Sequence, residues 1–223
     1  MQKTIPIEHG KYYHIYSCGI NGENLFRENE NYMHFLWLYE KYIDTIAETF
    51  AWVLMRNHFH LLVRIKEEEE IGFYKPLNAD SSDDSVKFQV TTNLSAFEEA
   101  DSVKVKPNPY KHFSHLFNAY TKHYNPKYNR SGNLFRRQFK RKPINTENYF
   151  RQVVLYIHNN PVHHGFADHP IEYPWSSYQT CISIKPTRLK RETVIGWFDN
   201  LANFKVLHEQ KVEYLKIENW LEI

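Results

Sequence analysis

The sequence predicts a mixed α+β fold, because stretches with strand periodicity alternate with stretches of helical periodicity. Residues 11–18 are rich in aromatic and β-branched side chains, which is typical of a strand. Apolar residues recur at helical spacing over 29–49 and predict a helix. Two apolar segments follow, 50–55 and 60–65, and the short turn between them at 56–57 predicts a β-hairpin, hence antiparallel strands.

The second half of the chain predicts two more helices and one strand. Apolar residues at helical spacing predict a helix over 113–125, and 139–144 follows as a strand. Thr146, followed by a glutamate, is typical of a helix N-terminus. We expect this helix to end near Asn160, because the next residue is a proline, which disfavours helical geometry in the residue before it.

Length and charge pattern indicate one main domain with two additions. A chain of 223 residues that is 42% hydrophobic can close one substantial core. Residues 67–101 hold ten acidic and two basic side chains, whereas 102–146 hold eleven basic side chains and no acidic one. We expect a domain over 1–180 with an acidic, flexible insertion at 67–101, and a helical extension over 181–223.

Composition excludes several classes of protein. Two cysteines rule out a disulfide framework and a cysteine-rich zinc site. The N-terminus lacks the continuous apolar region of a signal peptide, and no run approaches the roughly 18 apolar residues of a membrane span. We expect a soluble cytoplasmic protein with no membrane partner. A net charge of +2 does not by itself identify a polyanionic partner.

The first candidate site is the sequence His58-Phe59-His60 in the second strand of the predicted hairpin. Side chains alternate along a strand, so both imidazoles point to the same face. Two fixed imidazoles suit a divalent ion that keeps open positions for phosphate oxygens. The alternative is that His58 and His60 only form hydrogen bonds on a half-exposed strand.

The second candidate site lies about a hundred residues later, where Tyr156 and Asn160 are four residues apart in the last predicted helix of the main domain. Residues at this spacing share one helical face, one turn apart. A tyrosine hydroxyl beside an amide oxygen could present a nucleophile and a metal ligand to one phosphate. The alternative is a core tyrosine and an ordinary helix end.

A basic cluster precedes that helix and predicts contacts to nucleic-acid phosphates, with a solvated basic loop as the alternative. Aromatic residues are interleaved with it, and they offer either stacking surfaces for unpaired bases or core packing, with Phe135 and Phe139 open to both interpretations. The predicted DNA-binding residues are Arg130, Arg136, Arg137, Lys140, Arg141 and Lys142.

Five segments, in this order, resemble the single-tyrosine HUH transposases, especially the branch of REP-associated tyrosine transposases. The resemblance covers about residues 6–66 and 110–180. The segments are YYHIYSCGINGENLFRENENY, AWVLMRNHFHLLVRI, YNRSGNLFRRQFKRKPI, YFRQVVLYIHNNPVHHGF and YPWSSY. Their combination is far more specific than any single motif.

This resemblance implies a ferredoxin-like HUH fold, in which a central antiparallel sheet is flanked by helices and the His-hydrophobe-His motif faces a helix that carries the nucleophile. It assigns the histidine ligands to His58 and His60, the nucleophile to Tyr156 and the third ligand to Asn160. It implies Mg²⁺ or Mn²⁺ as cofactor, a 5′-phosphotyrosine intermediate that a 3′-OH can rejoin, and single-stranded DNA with a hairpin as substrate. It also implies a bacterial, nucleoid-associated protein that acts as a monomer or homodimer.

Several alternatives stay open. The metal could activate water in a phosphohydrolase whose Tyr156 is structural, or the chain could be a domesticated DNA-binding protein without turnover. The acidic insertion either shields an empty DNA groove or is a solvated segment. The sequence does not reveal the DNA that is recognised, whether one chain completes the site, or whether the protein mobilises its own gene.

Overall fold

A computed structural model of the chain describes residues 5–74, 90–92, 105–136, 138–210 and 217–219. The strands are β1 (Tyr12–Cys18), β2 (Ala47–Met55), β3 (His58–Ile65), β4 (Phe73–Tyr74), β5 (Val90–Thr91) and β6 (Lys140–Ile144). Four of them form an antiparallel sheet in the order β2-β3-β1-β6, with the hairpin strand β3 in its interior. The predicted hairpin is confirmed.

Helices cover both faces of this sheet, so the predicted α+β fold with a central antiparallel sheet is confirmed. The helices are α1 (Asn29–Ile43), α2 (Pro109–Lys127), α3 (Glu147–His163), α4 (Tyr178–Ile182), α5 (Arg191–Trp197) and α6 (Leu201–Glu209). Helices α1 and α2 pack on the face that carries Phe59 and Leu61, and α3 packs on the face that carries Leu62. No helix in the described part of the chain is long and apolar enough to cross a membrane.

Helix α1 ends earlier than the apolar spacing predicts. The prediction of helix over 47–49 is wrong. These residues begin β2 and pair with the end of β3, with Ala47 opposite Ile65. Opposite side chains also form an ion pair there, Glu48 Oε2 to Arg64 Nε at 2.7 Å. The backbone pairing and this ion pair stabilise strand geometry where the apolar spacing alone favours helix.

Helix α3 continues one turn beyond the predicted end. Pro161 lies inside the helix, which ends at His163. A proline removes one helical hydrogen bond, which costs least in a final turn whose carbonyls find other partners. Here Phe166 N–H donates to the Pro161 carbonyl at 2.8 Å and His164 N–H to the Asn160 carbonyl at 3.1 Å. Asn160 therefore keeps helical geometry.

The two-stranded ribbon β4–β5 lies within the predicted acidic insertion. Ile71, just before β4, is buried in the core beside α1 and α2. The Tyr74 hydroxyl lies 2.6 Å from His112 Nε2 on α2. Both contacts attach this end of the segment to the main domain. Residues 75–89 and 93–104, on which most of the insertion prediction falls, lie outside the described residues.

The C-terminal helices share a core with α3. Phe198 and Phe204 are buried in the same cluster as Tyr156. A chain of hydrogen bonds joins β2 to α6: Trp52 N–H donates to Ser177 Oγ at 2.8 Å, Ser177 Oγ lies 2.8 Å from His158 Nε2, and His158 Nδ1 lies 3.0 Å from His208 Nε2. His208 Nδ1 lies 2.7 Å from the Phe204 carbonyl, which completes the chain.

Acid is expected to destabilise the protein through these buried histidines. Burial lowers the pKa of His208 to about 4, so His208 is neutral in the fold and titrates near its ordinary value once unfolded. A histidine with a depressed pKa contributes stability that is fully present above about pH 6.5 and is lost as the pH falls towards 4, by about 1.4 kcal/mol for each pH unit.

Urea unfolding from pH 7.5 to pH 4.5 measures this dependence in the wild type and in His208→Gln, which cannot titrate in that range. We expect a lower free energy of unfolding for the variant at pH 7.5 and a shallower fall with acid. Parallel pH profiles for the two proteins would contradict the assignment.

Candidate functional site

Strand β3 presents His58 and His60 to the same face of the sheet, as the alternation predicts. Their rings are 5.1 Å apart, between centroids. The His60 ring lies opposite Tyr16 of β1 in the strand register and stacks with it at 5.7 Å. This face is the one that α3 covers, because Leu62, two residues on, is buried with the α3 residues Val153 and Ile157.

Helix α3 brings Tyr156 and Asn160 onto these histidines. Asn160 Oδ1 lies 3.0 Å from His58 Nε2. The Tyr156 ring packs edge-on against His60 at 5.2 Å, and only 3% of Tyr156 is exposed. The four residues that the two motifs single out therefore meet in one cluster, although about a hundred residues separate the motifs. Their chemical roles stay predictions.

His14 is a third histidine in this cluster, which the motifs do not reveal. Its Nε2 lies 2.9 Å from His60 Nδ1, and the planes of the two rings are nearly parallel, at an angle of 9°. The relevant signal in the sequence is the alternation of Tyr12, His14 and Tyr16 along β1. That signal becomes informative only once β1 is known to lie next to β3.

Burial controls the protonation of the cluster. It lowers the pKa of His58 to about 4 and of His14 to about 3, and it also lowers the pKa of His60. The imidazoles are therefore neutral at pH 7. Burial raises the pKa of the Tyr156 hydroxyl and a nearby carboxylate, Glu218, raises it further, so the phenol keeps its proton in this environment.

The side chains of His58, His60 and Asn160 are of the kinds that bind divalent cations. Neutral imidazole nitrogens and an amide oxygen are metal donors, and each of His58, His60 and Asn160 carries one on this face. The buried Nδ2 of Asn160 has no hydrogen-bond partner, so its amide is held only through Oδ1. In the described part of the chain no group of three His, Cys, Asp or Glu side chains could hold a metal ion. Binding here would depend on the Asn160 amide.

Further polar groups border the cluster on the side of the last turn of α3. The ring of His164 lies 5.3 Å from that of His58, and Glu218 Oε1 lies 3.9 Å from His163 Nε2. Glu218 reaches this position because its neighbour Ile217 is buried against the α3 core. No sequence motif points to Glu218, since only the packing of the C-terminal segment brings it here.

The predicted DNA-binding residues divide into two groups. Arg130 and Arg141 make contacts within the protein: Arg130 pairs with Glu23 at 2.6 Å, and Arg141 lies over the Tyr110 ring at 5.1 Å and donates to the Ile5 carbonyl. Two of the others are accessible to solvent. Arg136 and Lys140 are exposed, Lys142 is half-buried, and Arg137 lies outside the described residues.

The strand register places two of these lysines on the face of the catalytic candidates. Lys140 lies opposite Tyr16 and Lys142 lies opposite His14, on the other side of β1 from His60. Directly opposed side chains project to the same face. Phe135 and Phe139, in contrast, are both buried against α2, which confirms their interpretation as core residues.

One solved structure is similar to this chain in fold. It is described as a REP-associated tyrosine transposase bound to a REP hairpin, and it matches with a TM-score of 0.56 and 16% sequence identity. The match covers 83% of this chain and 89% of that one. No protein-family profile and no curated protein matches the sequence. The likeness shows that the chain has the fold of this transposase.

Proposed function

We propose that the protein is a metal-dependent single-stranded DNA transesterase, in which Tyr156 attacks a phosphodiester held beside His58, His60 and Asn160. The observation that carries the proposal is the meeting of a tyrosine with two strand histidines and an amide, built from segments that lie far apart in the sequence. The fold shared with a hairpin-bound transposase supports DNA processing over other phosphodiester chemistry.

Tyr156 is the group suited to act as the nucleophile. Its oxygen would form a bond to phosphorus while the bond from phosphorus to the 3′ oxygen breaks, leaving a 5′-phosphotyrosine and a 3′-OH. The phenol loses a proton and the departing oxygen gains one, so the step consumes none overall. A 3′-OH can reverse this exchange and rejoin the strand without an external energy source.

The raised pKa of Tyr156 means that this chain alone disfavours the phenolate. A bound Mg²⁺ or Mn²⁺ would supply positive charge that stabilises the phenolate and the phosphate in the transition state, by several kcal/mol. His58, His60 and Asn160 are the residues that would hold it. The side chains of these three residues are neutral, so they add no negative charge of their own to the site.

Single-stranded DNA that carries a hairpin is the proposed substrate. Lys140 and Lys142 lie on the same side of the sheet as His60, where they can contact phosphates that flank the scissile one. Exposed Arg136 lies at the end of β1, where its backbone N–H donates to the Cys18 carbonyl at 2.9 Å. Cys18 is opposite His58 in the register, so this arginine is close to β3, the strand that carries His58 and His60.

The test is incubation with hairpin-bearing single-stranded DNA and Mn²⁺, with and without a chelator, followed by denaturing electrophoresis. A covalent protein–DNA band that needs the metal supports the proposal. Cleavage without such a band would indicate a phosphohydrolase that uses activated water, and binding without cleavage would indicate a DNA-binding protein without turnover.

The salt dependence of DNA binding is expected to separate the two groups of basic residues. Each phosphate contact contributes about 0.7–0.9 to the slope of log affinity against log salt. Lys140→Ala is therefore expected to lower the slope by about that amount. Arg130→Ala should leave the slope unchanged, because Glu23 already pairs with Arg130. Fluorescence anisotropy between 50 and about 200 mM salt measures both slopes.

A further inference from the structure

His14 on β1 and His60 on the neighbouring strand β3 form a buried pair of imidazoles, in which His60 is one of the candidate metal ligands. His14 is fully buried and His60 is 4% exposed. Their facing nitrogens, His14 Nε2 and His60 Nδ1, are 2.9 Å apart, which is a hydrogen-bond distance. One of the two nitrogens must carry the proton of this bond, because two lone pairs would repel each other.

The position of that proton decides what His60 can bind. A neutral imidazole carries one proton, so a proton on His60 Nδ1 leaves the Nε2 lone pair available to a cation. If His14 Nε2 donates its proton in this bond instead, His60 must hold its own proton on Nε2. The Nε2 lone pair is then no longer available to bind a cation. Metal ligation through Nε2 therefore requires His14 to be the acceptor.

This arrangement leaves a polar atom without a partner on the far side of His14. His14 Nδ1 is buried and makes no hydrogen bond within the described part of the chain. An unpartnered buried polar group costs about 1–3 kcal/mol. An apolar side chain at position 14 would remove this atom but would leave His60 Nδ1 buried without a partner, so His14 satisfies His60 while its own second nitrogen stays unpartnered.

From these contacts we infer that His14 is a positioning residue for the metal site, which accepts the His60 Nδ1–H and so fixes the tautomer in which His60 Nε2 binds the cation. The inference rests on the proposed function in that it assumes a metal at His60. The two rings lie in nearly parallel planes with centroids 5.0 Å apart, so the same contact also orients the His60 ring.

Two substitutions at position 14 distinguish the role of His14 as a hydrogen-bond acceptor from the space that its ring fills. His14→Phe keeps a flat ring but has no acceptor, whereas His14→Gln places an amide oxygen near the position of Nε2. Outer-shell partners of ligating histidines typically change metal affinity 10–100-fold, so we expect about this loss of Mn²⁺ affinity for His14→Phe and near wild-type affinity for His14→Gln. Calorimetric titration of the protein with Mn²⁺, without DNA, measures the affinities.

A control variant and a spectroscopic readout make the result specific. His112→Gln removes another fully buried histidine, on α2 against the opposite face of the sheet, and should bind Mn²⁺ as the wild type does. Nitrogen-15 NMR of the Mg²⁺-loaded protein should find the His60 proton on Nδ1 in the wild type and in His14→Gln.

The inference is overturned if His14→Phe binds Mn²⁺ like the wild type, if His14→Gln is as weak as His14→Phe, or if the wild type binds no Mn²⁺. It would also fail if His60 carried its proton on Nε2 in the loaded wild type. The covalent DNA adduct is measured separately. An absent adduct with affinities that follow His14 would refute the proposed transesterase and leave the role of His14 intact.

Discussion

Tyr156→Phe is expected to abolish the covalent protein–DNA adduct while leaving the fold intact. The substitution removes one oxygen from the tyrosine that lies one helical turn before Asn160 and edge-on to His60. Losing the nucleophile of a covalent mechanism typically costs more than about 10³-fold in rate. Denaturing electrophoresis measures the adduct, and the loss of one buried hydroxyl should change the free energy of unfolding by about 1 kcal/mol.

Tyr149→Phe is the matched control for that experiment. Tyr149 lies on α3 two turns before Tyr156, and it is less buried. It has no amide four residues on, because position 153 is a valine. Its variant should form the adduct at the wild-type rate. An adduct that persists in Tyr156→Phe would refute the assignment of the nucleophile.

His58→Ala is expected to lower adduct formation by about 10²-fold or more, because a bound metal would contribute several kcal/mol to the transition state and this variant removes one of its three proposed donors. The same change breaks the 3.0 Å contact that orients the Asn160 amide. Raising the Mn²⁺ concentration should restore part of the rate, since a weakened site fills at higher metal.

That partial rescue distinguishes a ligand from a structural residue. His112→Gln serves as the control, because it removes a buried histidine from the other side of the sheet. Adduct formation by His58→Ala at the wild-type rate, or by the wild type in excess chelator, would contradict a metal at this position.

The sequence was sufficient to predict the helix and the strand that carry the candidate site, because the spacing of the site residues matches the period of each element. The helical spacing of Tyr156 and Asn160 and the strand alternation of His58 and His60 are local properties, and the structure brings the two pairs together. Helix boundaries were less predictable. Pairing with β3 takes 47–49 out of the predicted helix, and other hydrogen bonds let α3 run past Pro161.

The parts of the site that could not be predicted depend on contacts between distant segments. His14 becomes significant only through the register of β1 with β3, and Glu218 only through the burial of Ile217. In the basic cluster, residues that look alike in the sequence differ in their contacts. Arg130 is similar to its neighbours in sequence, yet its contact with Glu23 distinguishes it from exposed Lys140.

The most direct test of the account is to identify the amino acid that becomes linked to DNA. The wild-type protein would be incubated with hairpin-bearing single-stranded DNA and Mn²⁺, digested with protease and nuclease, and analysed by mass spectrometry. We expect a nucleotide joined through its 5′-phosphate to the peptide that contains Tyr156, together with a DNA product that ends in a 3′-OH. Cleaved DNA without a linked peptide, or a nucleotide attached to another residue, would contradict it.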